Sequence, residues 1–271
     1  MTVIVVCVVS GALLLGAAWG VLWTLPQKLE GFLIAAAGGA LIVSAMSELI
    51  EPALMKISLV SVTLSVGAGA LVFTIVARFI KEKFGEDSGG GLLASVTLDG
   101  IPENLALGVA LIGAGPMQIA ALAGSIFLSN LPEAAGGAKE MVKNWPKRRV
   151  FLLWGITAVL LSAAAIAGNL LLSDVAPEYL AAIRCFAAGA VIASLATTVF
   201  PKAYQEDSYV AGIATALGLL LALALGELDG GSGKQENASQ SVQTSKTASL
   251  LEGTLALPRG STTSDIQPLP R

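Results

Sequence analysis

Eight runs of about 20 apolar residues follow one another along the chain, separated by short polar connections. Each run is long enough to cross the hydrocarbon core of a bilayer, about 30 Å thick, as an α-helix. A spanning segment must satisfy its own backbone hydrogen bonds, so these runs predict an all-α polytopic membrane protein with eight transmembrane helices. The runs cover residues 3–25, 31–50, 58–80, 91–113, 117–138, 149–172, 179–200 and 208–227.

The composition supports a membrane location and excludes several classes of function. Charged residues make up 13% of the chain, against about 25% in soluble domains. The net charge of -3 gives no electrostatic footprint for nucleic acid. The sequence has no histidine, the commonest general base, and its two cysteines cannot build a disulfide framework. We therefore expect no enzyme, no prosthetic group and no nucleic-acid partner.

The distribution of lysine and arginine predicts the orientation of the chain. If the N-terminus is outside, the outer loops hold only Lys56 and nearly all the basic residues of the loops lie on the inner side. Because basic residues concentrate in cytoplasmic loops, this orientation is favoured, and it places both termini outside. Arg184, just inside the seventh run, is expected to snorkel outward or to pair with Asp174 or Glu178. The basic residues at the inner side are then Lys28, Arg78, Lys81, Lys83, Lys139, Lys143, Lys147, Arg148, Arg149 and Lys202.

The chain divides into a membrane domain, residues 1–227, and a polar tail, residues 228–271. The tail is rich in Gly, Ser, Thr, Gln and Pro and lacks hydrophobic periodicity, so we expect it to be disordered.

Gly16 and Gly20 form a small-xxx-small pair, which predicts close packing of the first helix in lipid. We expect a multi-pass protein of the inner or plasma membrane; a homodimer is left open.

Two pairs of helices carry similar segments. Residues 39–44 (GALIVS) resemble residues 189–194 (GAVIAS), and residues 101–103 (IPE) resemble residues 131–133 (LPE). Each pair joins an odd and an even run, so its members would cross the membrane in opposite directions. Inverted repeats of this kind are typical of secondary transporters. For the first pair, chance similarity among Gly/Ala-rich segments is an equally good explanation. The second pair is harder to attribute to chance, because glutamate is rare in membrane spans.

The acids of the two Pro-Glu motifs are the main candidates for function. Asp99 and Glu103 are four residues apart and share a helix face, as do Ser129 and Glu133. A charge at the bilayer centre costs about 2.5–3.5 kcal/mol on insertion scales. Neither helix carries a lysine or arginine at that depth. The expected counter-charge is therefore a cation or protons.

Pro102 and Pro132 are expected to break their helices and to free the backbone carbonyls of Leu98 and Leu128. Carbonyl and carboxylate oxygens are ligands that suit divalent metals. The alternative is that the acids are protonated and hydrogen-bond from helix to helix. The predicted metal ligands are Asp99, Glu103, Ser129, Asn130 and Glu133.

On these motifs the sequence resembles the ZIP family of divalent-metal transporters, whose fourth and fifth helices carry motifs of the type His-Asn-x-Pro-Glu-Gly. Residues 99–104 read DGIPEN and residues 129–134 read SNLPEA. The resemblance covers about residues 1–227 and implies eight spans, both termini outside and metal ligands on helices 4 and 5. It puts Glu103, Asn130 and Glu133 at ligand positions and Asp99 at a histidine position. Ser129 takes a position that usually holds a stronger ligand.

Departures from the family pattern alter the expected site. Gly100 stands where the family has asparagine, and residues 153–159 of the sixth helix contain no acid, so we expect one metal site rather than two. A site made only of oxygen ligands favours Mn²⁺ or Fe²⁺, whereas family precedent favours Zn²⁺.

The resulting hypothesis is transport of a divalent metal cation toward the cytoplasm through a midplane site on helices 4 and 5. The alternatives are a proton-coupled carrier of a non-metal solute and a degenerate, non-transporting relative. An intramembrane protease is the least supported class, because Asp99 has no partner aspartate and no histidine is present to activate a serine.

Overall fold

Residues 2–23, 26–84, 89–112, 116–206 and 208–224 are described by a computed structural model, and their regular secondary structure is entirely helical. The predicted tail, residues 228–271, lies outside the described residues. Within them, the long helices coincide with the apolar runs of the sequence. They are α1 (Thr2–Leu22), α2 (Gln27–Leu54), α3 (Leu59–Phe84), α4 (Gly89–Ala110), α5 (Pro116–Met141), α6 (Lys147–Leu172), α7 (Pro177–Glu206) and α8 (Ser208–Ala224).

Five of these helices, α1, α2, α3, α6 and α7, are long and apolar enough to cross a membrane. Helices α4 and α5 carry the acids and amides of the predicted site, which lower their mean hydropathy, and α8 is shorter. The expectation of an all-α membrane protein is therefore supported by length and composition for five spans.

The outer surface of the bundle is apolar and its interior is partly polar, the reverse of a soluble protein. Leu64, Leu152 and Leu171 are among the many large apolar side chains that the helices expose. By contrast, Asp99 and Glu103 are almost completely buried. An apolar solvent makes this distribution favourable, which fits a bundle surrounded by lipid.

Glycines allow neighbouring helices to approach to backbone contact. On α1, a Cβ at Gly16 or Gly20 would collide with the carbonyl oxygens of Leu131 and Ala135 on α5. The predicted close packing through the small-xxx-small pair is thus confirmed. Such contacts supply the van der Waals packing that holds helices together in lipid, where no hydrophobic effect operates between them.

Contacts of the same kind divide the bundle into two groups. The α1 group consists of α1, α4, α5 and α6, and the α2 group consists of α2, α3, α7 and α8. Among the described glycines, each one whose missing Cβ would collide with the backbone of another helix does so inside its own group. These glycines are Gly16, Gly20 and Gly108 in the α1 group, and Gly39, Gly69, Gly189 and Gly218 in the α2 group.

Side chains connect the two groups. The hydroxyls of Ser44 on α2 and Ser125 on α5 are 3.1 Å apart. Arg184 on α7 donates from Nη2 to the carbonyl oxygens of Val109 and Ile112, at 3.3 and 2.9 Å. The expected pairing of Arg184 with Asp174 or Glu178 is therefore wrong, and its outward snorkelling stays a prediction. Its guanidinium instead donates to carbonyls at the C-terminal end of α4, where the last turn of a helix lacks its full set of N–H partners.

Irregular helical backbone occurs near other prolines than those predicted to break their helices. Helices α4 and α5 run without interruption through Pro102 and Pro132, so the predicted break is wrong. Irregular backbone occurs instead in α2 and α7, as single π-helical turns at Met46–Ile50 and Leu195–Val199. Each turn ends two residues before a proline, Pro52 or Pro201, whose missing N–H removes an α-helical hydrogen bond.

The glycine contacts of α1 generate a test of the packing. Gly20→Ala should destabilise the protein by about 1–3 kcal/mol, because the added methyl group overlaps the Ala135 carbonyl. Gly11→Ala, on the same helix, is the matched control, since no atom lies within 4 Å of its Cβ position. Thermal unfolding in detergent measures both variants. Equal unfolding temperatures would contradict the assigned helix contact.

Candidate metal centre

The predicted site residues lie in the interior of the bundle. Asp99 and Glu103 on α4, and Ser129 and Asn130 on α5, are each at most 3% exposed. Glu133, one turn after Ser129, is half-buried. Residues four apart share a helix face, so each helix presents two of its polar residues in the same direction.

The acids of the two helices face each other closely enough to interact. Glu103 has electrostatic interactions with both Asp99 and Glu133, and Asp99 also interacts with Glu133. Among the described residues, however, no three Asp, Glu, Cys or His side chains form a group that could hold a metal ion. An ion bound here would therefore need neutral oxygens beside the carboxylates, or a movement that draws the carboxylates together.

Helix α7 supplies neutral oxygens that the sequence reasoning missed. The Ser194 hydroxyl donates to Asp99 Oδ1 at 3.0 Å, in a fully buried position. Thr198, one turn further along α7, also hydrogen-bonds the Asp99 side chain. A signal for Ser194 was present, because this residue ends the GAVIAS segment that resembles GALIVS on α2. Helices α4, α5 and α7 thus line the site together.

Several buried polar atoms at the site have no partner among the described protein groups. They are Asp99 Oδ2, Glu103 Oε2, Asn104 Oδ1 and Asn130 Nδ2. A buried polar group without a partner costs about 1–3 kcal/mol, so three unused acceptors and the unused Asn130 donor in one place are typical of a site that binds a ligand. Asn104, which was not predicted as a site residue, donates its own amide to the carbonyl of Gly100 at 2.9 Å.

A lysine from outside the two Pro-Glu helices provides part of the missing counter-charge. Lys202, near the end of α7, interacts electrostatically with both Asp99 and Glu133. Its Nζ atom also lies 3.4 Å from Oε1 of Glu30, at the start of α2. The sequence reasoning searched for a positive charge only on α4 and α5 and therefore missed this residue.

Packing against α6 explains why residue 100, next to Asp99, is a glycine. A Cβ at Gly100 would collide with the Leu161 side chain of α6, which fills the space beside the helix. Thr97 and Thr157 meet one turn further along the same interface, with their hydroxyls 3.4 Å apart. The side of α4 that faces α6 is therefore closed by packed side chains, and the acids face α5 and α7.

Comparison with known proteins adds no relative: no protein-family model matches this sequence, and a search of curated proteins finds no match.

The contact between Gly100 and Leu161 predicts a pair of coupled substitutions. Gly100→Asn should lower the free energy of unfolding by about 1–3 kcal/mol through overpacking against Leu161. In a Leu161→Ala background the same change should cost clearly less, because the leucine no longer occupies the space. A double-mutant cycle by thermal unfolding tests this coupling. Strictly additive effects would show that Leu161 does not set the size of residue 100.

Proposed function

We propose that this protein is a ZIP-like transporter that moves a divalent metal cation toward the cytoplasm. The observation that carries the proposal is the buried pair of Asp99 and Glu103, with half-buried Glu133 within electrostatic range, inside a bundle with an apolar exterior. Acids in such a place need a compensating positive charge. A transported cation supplies that charge and gives a function to the unpaired oxygens of Asp99 and Glu103.

The proposed topology has eight spans, with both termini outside. Helix α4 has 22 residues and α5 has 26, which gives lengths of about 33 and 39 Å at 1.5 Å per residue. Both are long enough for a hydrocarbon core of about 30 Å. Their low hydropathy is due to the site residues themselves, which face the interior of the bundle.

The ligand set that we propose is Asp99, Glu103 and Glu133 with neutral oxygens from Asn130 and Ser129. The hydroxyls of Ser194 and Thr198 are additional candidates, since both already contact Asp99. Such a set of oxygens favours Mn²⁺ or Fe²⁺, while the resemblance to the ZIP family favours Zn²⁺. A single site agrees with the packing of Leu161 beside Gly100, where a second ligand would otherwise point.

The two helix groups suggest how the ion is carried. The acids belong to α4 and α5 of the α1 group, whereas Ser194 and Thr198 belong to α7 of the α2 group. Movement of one group relative to the other would expose the site alternately to the two sides of the membrane. At the boundary, the hydrogen bonds of Ser44, Ser125 and Ser194 can exchange without a large energetic cost, whereas the apolar packing between the groups would have to slide.

A proton-coupled carrier of a non-metal solute is the second candidate. It is favoured by the finding that no three acidic, cysteine or histidine side chains among the described residues form a metal-holding group. Under this function the same acids would bind and release protons, and the protein would bind no divalent ion. Direct measurement of bound metal separates the two candidates.

The transport hypothesis predicts that the purified chain binds about one divalent ion, drawn from Zn²⁺, Mn²⁺ and Fe²⁺. Asp99→Asn and Glu103→Gln should each weaken binding by at least about tenfold, because each removes a charged ligand. Glu140→Gln is the matched control, since that acid lies exposed near the end of α5 and pairs with Lys143. Titration calorimetry, elemental analysis and uptake into vesicles measure the outcome.

Two results would decide against the proposal. Wild-type protein that binds none of the three ions would favour the proton-coupled carrier. Site variants that bind and transport the ion like the Glu140→Gln control would show that the ion uses another site.

A further inference from the structure

A column of polar residues runs along α7 from the acids toward the inner end of the helix. Ser194, Thr198, Lys202 and Glu206 follow one another at intervals of four residues in the C-terminal half of the helix. Residues at this spacing share a helix face. Ser194 and Thr198 contact Asp99, so Lys202 lies one turn beyond the site on the same side.

The ammonium group of Lys202 contacts Glu30 and lies within electrostatic range of Asp99 and Glu133. Side chains on a helix tilt toward its N-terminus, which for α7 is the direction of Thr198 and Asp99. The side chain is 29% exposed, far less than a lysine at a helix surface, and its ammonium group acts on both Asp99 and Glu133. Glu206, at the end of the column, has electrostatic interactions with four charged side chains: Glu30, Lys202, Lys139 and Glu140.

Glu30 is the direct partner of Lys202 and lies at the boundary between the helix groups. Its side chain is 6% exposed, and its carboxylate occupies the space beside Gly136 on α5, where a Cβ would collide with it. Gly136 comes three residues after Glu133. The pair of Lys202 and Glu30 therefore belongs to the α2 group but is packed against the α1 group, close to the acids.

We propose that Lys202 is a tethered counter-ion that competes with the transported cation for the carboxylates and is held back by Glu30. When the site holds no cation, the ammonium group stabilises Asp99 and Glu133. When a divalent ion binds, it repels the ammonium group, which then pairs with Glu30 alone. This inference rests on the proposed function, because it assigns a competitor to the same site.

The exchange of partners also assists release of the cation toward the inner side. Lys202 and Glu30 move with the α2 group, whereas Asp99 and Glu133 move with the α1 group. A movement that brings Lys202 closer to the acids weakens their attraction for the cation. The positive charge of the lysine thus opposes retention of the ion, and the negative charge of Glu30 sets how strongly it does so.

Removal of the ammonium group should tighten binding of the cation. In Lys202→Met, the dissociation constant of Zn²⁺ or Mn²⁺ should fall by at least about tenfold, because one repelling charge is lost near the ion. Uptake into vesicles should become slower, because release is no longer assisted. Lys143→Met is the matched control, since it removes an exposed lysine that pairs only with Glu140 among the contacts seen.

Glu30→Gln should have the opposite effect on binding. The lysine loses its partner and competes more strongly, so the dissociation constant should rise several-fold. In the double variant Glu30→Gln/Lys202→Met this weakening should disappear, and the affinity should equal that of Lys202→Met. If Lys202 served only to neutralise buried Glu30, the double variant would instead bind the ion with wild-type affinity, and the proposal would be overturned.

The experiment uses full-length protein in lipid nanodiscs, with calorimetric titration of the metal alone and thermal unfolding in a chelator. In the chelator, the double variant should unfold at a lower temperature than Glu30→Gln, because its acids have lost their counter-ion. Wild-type protein that binds no ion overturns the proposed function and this inference with it. Wild-type binding that Lys202→Met leaves unchanged overturns the inference alone.

Discussion

Buried carboxylates are the constraint around which this bundle is arranged. Asp99 and Glu103 are almost inaccessible, yet they lie in a protein whose surface and packing are built from apolar side chains. An ionised carboxylate in such surroundings is tolerated only with hydrogen bonds or a positive charge close by. The hydroxyl of Ser194 and the ammonium group of Lys202 both come from α7, so the position of this helix relative to α4 decides how well the acids are balanced.

The glycine contacts explain how the rest of the chain holds that arrangement. Within each helix group, glycines permit backbones to touch, as Gly16 does against α5 and Gly189 does against α3. Between the groups, Ser44, Arg184 and Ser194 reach across with polar side chains. Backbone contacts resist sliding because any shift creates overlap, whereas a hydrogen bond from a side chain can be replaced by another.

The sequence predicted the helices well and the site in part. Hydropathy located the apolar segments because lipid requires long, self-bonded helices, and the rarity of glutamate in such segments identified Glu103 and Glu133. The partners of the acids were missed because they come from α7, and contacts between distant segments leave no periodic signal. Arg184 was assigned to the wrong partners for the same reason. It binds backbone carbonyls of α4, and every residue has such a carbonyl, so the sequence does not indicate which one is bound.

The prolines show where local rules were misapplied. Pro102 and Pro132 were expected to interrupt α4 and α5, but each costs its helix one hydrogen bond and the remaining ladder continues past it. Pro52 and Pro201, for which no break was predicted, follow the π-helical turns of α2 and α7. The proline residue by itself does not distinguish these outcomes, because both follow from the same missing N–H.

The π-helical turn of α7 has a geometric consequence for the residues on either side of it. In a regular α-helix each residue turns the chain by 100°, so Ser194 and Lys202, eight positions apart, would point about 80° away from each other. The turn at Leu195–Val199 spans five residues per hydrogen bond instead of four, and it therefore underwinds the helix between them. That underwinding cancels part of the angular drift. The column of polar residues on α7, which would otherwise spiral around the helix, therefore runs closer to the direction of the helix axis.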